Sequence, residues 1–360
     1  MPLIIAGIDE AGYGPLLGPL CIGMTAFRVE RWNPGDPPPN LWTALASAVC
    51  RKPGDKKRRI AVDDSKKLKL PNSNGDAPGR HPLLHLERAV LTFLAVCPGE
   101  GVRPETDLDL FRALGAAPEP LPWYAGDPCP VPCAGISAAQ IGIASNLLAR
   151  AMHRAGVAPM RLACRAVCEG MFNDEVERTG TKAAATMLGV ADHLRYAWEH
   201  WAPIDPAEAI EADLADNGAS PPRGAGPRIV CDRQGGRTSY RGVLSRVIPG
   251  ADVLELEETD RCSRYLIRAG PDDAAPAGRI MTVTFMPEAE RQHLPVALAS
   301  MVAKLVRELM MARFNAYWRS LIPQLKPTAG YVQDGRRWLA DLEAAGVLTP
   351  QLRRTLVRRA

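Results

Sequence analysis

Apolar positions along this chain follow two rhythms, one of strands and one of helices. Leu3 to Ile8 is an unbroken apolar run ending in two acids and a glycine turn, and Leu20 to Val29 is a second extended run with alternating apolar residues. The pair predicts a hairpin. The breaker cluster Pro34 to Pro39 follows, and Trp42, Leu45 and Val49 beyond it have the spacing of an outlying helix. Ile60 to Val62 predicts a short strand leading into Asp63-Asp64-Ser65-Lys66-Lys67-Leu68, and Leu84, Val90, Leu91 and Leu94 predict a buried helix over Leu83 to Val96. Dense proline and glycine from Cys97 to Cys133 predict a loop-rich excursion rather than core scaffold. Ile136 to Ala155 reads as a helix, Leu162 to Cys168 as a strand, and Thr181 to Trp201 as a long helix capped by its threonine. Ala202 to Pro227 is another Pro/Gly/Asp-rich connection. Arg228 to Cys231 is a short buried strand that ends at Asp232; Val253 to Leu256 and Ile280 to Phe285 add two strands, and a helix runs from Pro295 to about Trp318. Strands alternating with helices indicate an α/β fold, a mixed sheet flanked by helices. The expected organisation is one domain over residues 1–318, with insertions near 97–158 and 202–227, followed by a C-terminal helical segment, 319–360. No internal repeat is present.

Composition narrows the class. At 360 residues with 46% hydrophobic content, the chain has enough apolar surface for a real core. No apolar run approaches the roughly 18 residues of a membrane span, and Met1 to Asp9 is too short for a signal peptide. The expectation is a cytoplasmic protein without membrane association, with a monomer favoured. The nine cysteines lie mostly in apolar segments, as reduced core thiols do, so no disulfide framework is read. A net charge of +4 does not by itself indicate a nucleic-acid partner. Basic clusters at Arg51 to Arg59, at Lys66 and Lys67, at Arg336 and Arg337, and from Arg353 to Arg359 fit either solvated loops or a phosphate-tracking surface.

Candidate chemistry starts with acids. Asp9 and Glu10 end an apolar strand, where neighbouring carboxylates repel and burial worsens the repulsion unless cations neutralise them. A solvated strand-to-turn junction accounts for the pair as well. Asp232 also ends an apolar strand, before Gln234-Gly235-Gly236; in a parallel arrangement beside the first strand it would share one crevice with Asp9 and Glu10, and otherwise it is a turn-forming aspartate. Glu308 lies near the buried stripe formed by Leu298, Met301, Val302 and Leu305, with an intrahelical pair to Lys304 as the alternative.

Together these blocks resemble type 2 ribonuclease H, the ribonuclease HII family. Ala6 to Pro19 resembles the family's opening block with its first two metal-binding acids, and Asp64-Ser65-Lys66-Lys67-Leu68 resembles its second, substrate-side block. Ala299 to Glu308 is similar to the family helix that ends in arginine and the fourth acid, and Gly330-Tyr331 is similar to the pair whose tyrosine packs against the ribose at an RNA–DNA junction. The quoted blocks stand along the chain in the family's order. The resemblance implies a ribonuclease H-like fold and a metal-dependent endonuclease. Its substrate would be RNA in an RNA–DNA hybrid or ribonucleotides embedded in duplex DNA.

It further implies that Asp9, Glu10, Asp232 and Glu308 are catalytic and hold two Mg²⁺ or Mn²⁺ ions, about 4 Å apart in such sites. No histidine base is then required. Gly12, Tyr13, Gly14, Ser65, Lys66, Arg237 and Tyr331 are the expected substrate contacts, Tyr331 at the 2′-hydroxyl. Departures are specific. Tyr13 stands where the family has arginine, offering a stacking ring in place of a guanidinium. Glu308 stands for an aspartate, Arg233 follows Asp232 in place of glycine, and Val332-Gln333-Asp334-Gly335 replaces glycine-threonine-lysine. Two further readings follow: the same two-metal chemistry on another structured nucleic acid, or a nucleic-acid-binding protein that no longer cleaves. A competing zinc site draws on Cys129/Cys133 and Cys164/Cys168, two C-x₃-C pairs.

Overall fold

The computed structural model describes residues 2–33, 36–71, 81–98, 103–202, 226–233, 235, 237–270 and 279–359. Most of the connection expected over 202–227, the start of the 34–39 breaker cluster, and Gln234 and Gly236 lie outside the described residues. The elements, in chain order, begin with β1 (Leu3–Ala11), β2 (Leu20–Val29), α1 (Leu41–Ala44), β3 (Val49–Cys50), β4 (Ile60–Ala61), α2 (Ser65–Leu68) and α3 (Leu84–Leu94). They continue with α4 (Asp107–Ala113), α5 (Ala138–Ala155), β5 (Val157–Val167), α6 (Glu169–Thr179), α7 (Lys182–His200), β6 (Arg228–Asp232) and α8 (Arg241–Val247). The remainder are β7 (Ala251–Glu258), β8 (Ser263–Ala269), β9 (Ile280–Met286), α9 (Leu294–Leu321), α10 (Val332–Ala344) and α11 (Pro350–Leu356). Among the described residues no helix is long and apolar enough to cross a membrane.

Seven strands form one mixed sheet in the order β5-β2-β1-β6-β9-β8-β7, with helices packed on both faces. β1 and β2 pair antiparallel as the hairpin pattern predicts, while β6 lies parallel to β1 and β9 parallel to β6. Alternation splits β1 between two cores: Leu3 and Ile5 join the cluster under α3, α5 and α9, and Ala6 and Ile8 join the cluster under α7 and α8. The long helix α9 sits directly on β1 and β2 because glycines give it room. A Cβ on Gly7 would strike the Val296 backbone, and one on Gly23 would strike the Ala299 carbonyl.

Several expectations are corrected. The helix expected beyond Pro39 is only the four residues of α1, and Val49 belongs to β3, which pairs parallel with β4. Thr181 occupies the N-cap position of α7 without a capping hydrogen bond from its side chain. The stretch from Cys97 to Cys133 is part of the core: Leu110, Phe111, Trp123 and Tyr124 are buried in the first cluster. It contains α4, opened by a capping box between Thr106 and Asp109. It is also tied to α9 by a buried fork, Arg313 Nε and Nη2 donating to the Asp107 carboxylate at 2.6 and 2.9 Å. The C-terminal segment packs on the same core through Trp338, Leu342 and Leu356.

Candidate active site

The register between β1 and β6 brings two acids side by side. Ile8 is level with Cys231, and both face the second core, so the next residues, Asp9 and Asp232, are neighbours on the α9 face at the carboxyl ends of parallel strands. Glu10 follows Asp9 and lies within Coulombic reach of Asp232.

Burial and like charge both act on this group. Burial pushes the Asp9 carboxyl well above its ordinary range, and the charges of Glu10 and Asp232 push it further. Glu10 is raised to about 7, first by burial and then by Asp232, and Asp232 is raised by burial. Hydrogen bonds partly offset this: Ser300 of α9 bonds to Asp9, Glu10 N–H donates to Asp9 Oδ1 at 2.7 Å, and Ala289 N–H donates to Asp232 Oδ1 at 3.0 Å. The cationic side chain acting on Glu10 and Asp232 is Lys66, which is exposed. Asp64 caps α2 by accepting from Lys66 N–H, which fixes this lysine at the rim.

The other expected site residues are placed as follows. Glu308 lies on α9, where its carboxylate pairs with Lys304 at 2.8 Å and with Lys69 at 3.8 Å. It stands eight residues beyond Ser300 on α9, ~12 Å along the axis at 1.5 Å per residue. Ser65 is buried, and its Oγ meets Ser300 Oγ at 2.9 Å. Tyr13 is half-buried against the second core, which limits it as a stacking platform. Arg237 lies on the loop after β6, its guanidinium 5.8 Å from the Tyr240 ring centre. Tyr331 is 49% exposed, with the Arg307 guanidinium 5.9 Å from its ring centre.

A fourth acid emerges that the sequence reading missed. Glu290 follows β9, the strand parallel to β6, and sits in a short 3₁₀ turn, Ala289–Arg291. Its carboxyl is raised first by burial and then by the charges of Asp232 and Asp64, and it acts in turn on Glu10. The signal was present in the chain: Pro287-Glu288-Ala289-Glu290 ends an apolar strand, as Asp9 and Asp232 do.

Carboxylate oxygens are the donors that Mg²⁺ and Mn²⁺ prefer, and three mutually repelling carboxylates, Asp9 buried and Glu10 and Asp232 half-buried, fit a dication by chemistry. Among the described residues no group of three or more His, Cys, Asp or Glu side chains is placed to hold a metal ion. Of the thiols weighed for zinc, Cys164 and Cys168 are buried and Cys129 and Cys133 exposed. A cavity of about 650 Å³ lies apart from the acids, between Arg228, Arg264 and His293.

No protein-family model and no curated protein matches the chain. Among solved structures it is similar to ribonuclease HII of Archaeoglobus fulgidus, solved as a complex with PCNA, at 14% identity over 99% of this chain and 94% of that one, TM-score 0.36. It is similar to ribonuclease H2 of Pyrococcus horikoshii OT3 at 12% identity, over 98% and 93% of the two chains, TM-score 0.32. A third similarity is to Bst-RNase HIII in complex with Mn²⁺, at 13% identity over 99% of this chain and 66% of that one, TM-score 0.31.

Proposed function

We propose that this chain is a divalent-metal-dependent endonuclease of ribonuclease H type, cleaving RNA in RNA–DNA hybrids or at ribonucleotides embedded in duplex DNA. The observation that carries this reading is the register that sets Asp9 beside Asp232, with Glu10 and Glu290 within Coulombic reach. The motif blocks of the sequence add the choice of substrate. Asp9, Glu10, Asp232 and Glu290 would hold the metal, Mg²⁺ or Mn²⁺. When bound, such ions activate water and stabilise the departing oxygen, so no histidine base is needed.

The chain's own groups do the rest. Ser300, backed by Ser65, holds Asp9 in place through a hydroxyl donor, and the backbone amide of Ala289 holds Asp232. Lys66 adds positive charge at the rim, where a phosphate would dock. The exposed ring of Tyr331 offers a face for a sugar, and the turn from Gly12 to Gly14 offers backbone amides beside Glu10.

Cleavage of labelled hybrid, ribonucleotide-containing duplex, plain duplex and branched DNA, each with Mg²⁺ or Mn²⁺ and with EDTA, tests the reading. Metal-dependent cleavage restricted to the first two is the expected result. Tyr13 in place of an arginine is the feature that favours a different structured substrate, and preference for branched DNA would establish that alternative. Salt-dependent binding without cleavage of any of them would mean a binding protein.

The two glutamates separate in the same assay. Glu290→Gln is expected to lower kcat by about 10- to 100-fold, the scale for groups that hold or orient metal ligands. Glu308→Gln is expected to stay within about threefold, since it loses only the ion pairs with Lys304 and Lys69. The reverse order would return Glu308 to the site.

A further inference from the structure

The turn after Glu10 is held from behind by a residue far away in sequence. Arg358, just past α11, is 2% exposed. Its Nη1 donates to the carbonyls of Gly12 at 2.7 Å and Gly18 at 3.4 Å, its Nη2 donates to the carbonyl of Tyr13 at 2.8 Å, and its own N–H donates to Leu16 O at 2.9 Å. One guanidinium and one amide thus tie down four carbonyls of a single loop.

The peptide plane turns this clamp into an orientation. In a trans peptide the C=O of one residue and the N–H of the next point in opposite directions. With the Gly12 and Tyr13 carbonyls drawn inward to Arg358, the N–H groups of Tyr13 and Gly14 point outward. Among the described residues neither N–H meets an acceptor, and space is open around Gly14, where an added Cβ would touch nothing within 4 Å. Gly12, at φ 97°, permits the reversal. Two successive outward N–H groups form a small anion-binding concavity.

The surroundings of Arg358 fix it there. From α6, the Phe172 ring lies 4.2 Å from its Cζ and the charge of Glu169 favours it, while Arg307 opposes it across the loop. Asn173 of α6 donates to Val357 O at 2.9 Å and accepts from Arg359 N–H at 2.7 Å, pinning the chain on both sides of Arg358. Arg307 Nη2 also donates to Leu17 O, and Leu16 and Leu17 N–H both donate to Gly330 O, next to Tyr331.

We propose that Arg358 is a positioning residue that aims the amides of Tyr13 and Gly14 at the substrate's phosphate backbone, supplying from the C-terminal segment the rigidity of the loop beside Glu10. The substrate half of this rests on the nuclease reading; the loop half does not.

Hydrogen–deuterium exchange on the full chain, as wild type, Arg358→Lys and Arg358→Gln, reads the loop directly. Exchange over residues 12–18 is expected to quicken about tenfold or more in Arg358→Gln, with β5 unchanged. Arg358→Lys, which keeps a donor but loses the fork, should fall between. In hybrid cleavage with Mn²⁺, Arg358→Gln should raise KM about tenfold and leave kcat within about threefold. Unchanged exchange over 12–18 overturns the proposal whatever the activity. Faster exchange throughout, β5 included, with kcat reduced and KM unchanged marks a merely structural role and also overturns it, as does a quickened loop without a change in KM. If wild type cleaves no hybrid yet the loop loosens selectively, the nuclease reading fails while the loop assignment stands.

Discussion

Asp232→Asn is expected to lower hybrid cleavage by about three orders of magnitude, the rate equivalent of roughly 4 kcal/mol of transition-state stabilisation. In EDTA the same variant should melt higher than wild type, not lower. Asparagine keeps an oxygen for the amide of Ala289, so the local fold is retained. What disappears is a buried charge facing Asp9 and Glu10. The sign follows from the raised carboxyl of Asp232. A group whose folded pKa lies above its unfolded value binds more protons when folded, so it loses stability as pH rises from the unfolded value through the folded one. The penalty grows as pH rises, and asparagine removes it. Calorimetry in EDTA together with single-turnover cleavage in Mn²⁺ checks both halves. Wild-type activity in the variant would take Asp232 out of the mechanism, and a lower melting temperature would mean the acid is structural.

Asp107→Ala carries the largest expected stability loss, about 3–5 kcal/mol, the usual cost of stripping one partner from a buried ion pair. Arg313 is 4% exposed, and the Asp107 carboxylate that neutralises it also accepts from Cys129 N–H at 2.9 Å. Without the carboxylate, Arg313 keeps only the carbonyls of Tyr124, Gly126 and Asp127. The double change Asp107→Leu with Arg313→Met should recover much of the loss, because no unpaired charge is left buried. Urea denaturation of the three proteins measures this. A single-variant loss below about 1 kcal/mol would place the pair among weak surface bridges.

Three of the four acids could be found in the sequence because each ends an apolar strand, and a strand end pointing into a crevice is a local pattern. That Asp9 and Asp232 share a register could not be read, since it depends on β6 returning parallel beside β1. Glu290 was missed because it stands in a polar turn, although it obeys the same strand-end rule after β9. Glu308 borders the buried stripe as its helical phase indicates, and Lys69, brought in beyond α2, joins Lys304 in pairing with it. No local signal announces that contact.

Elements failed for comparable reasons. β8 carries only the short apolar run Tyr265-Leu266-Ile267 between arginines and gains its identity by pairing with β7 and β9. α6 buries only Glu169, Phe172 and Asn173, too few for an apolar period. β3 is two residues long and exists through its pairing with β4, the strand expected at Ile60 to Val62. The mixed sheet with helices on its faces was legible because the long runs in β1, β2, β9 and α9 carry strong periods.

The central claim is that the gathered carboxylates bind a divalent cation, and thermal melting with and without MnCl₂ tests it most directly. A ligand that binds only the folded state stabilises it by RT ln(1 + [L]/Kd), about 2.7 kcal/mol at a hundredfold excess over Kd. Wild type should gain melting temperature with Mn²⁺, and Asp9→Asn and Asp232→Asn should gain far less. An equal gain in all three proteins, or none in wild type, would contradict the account.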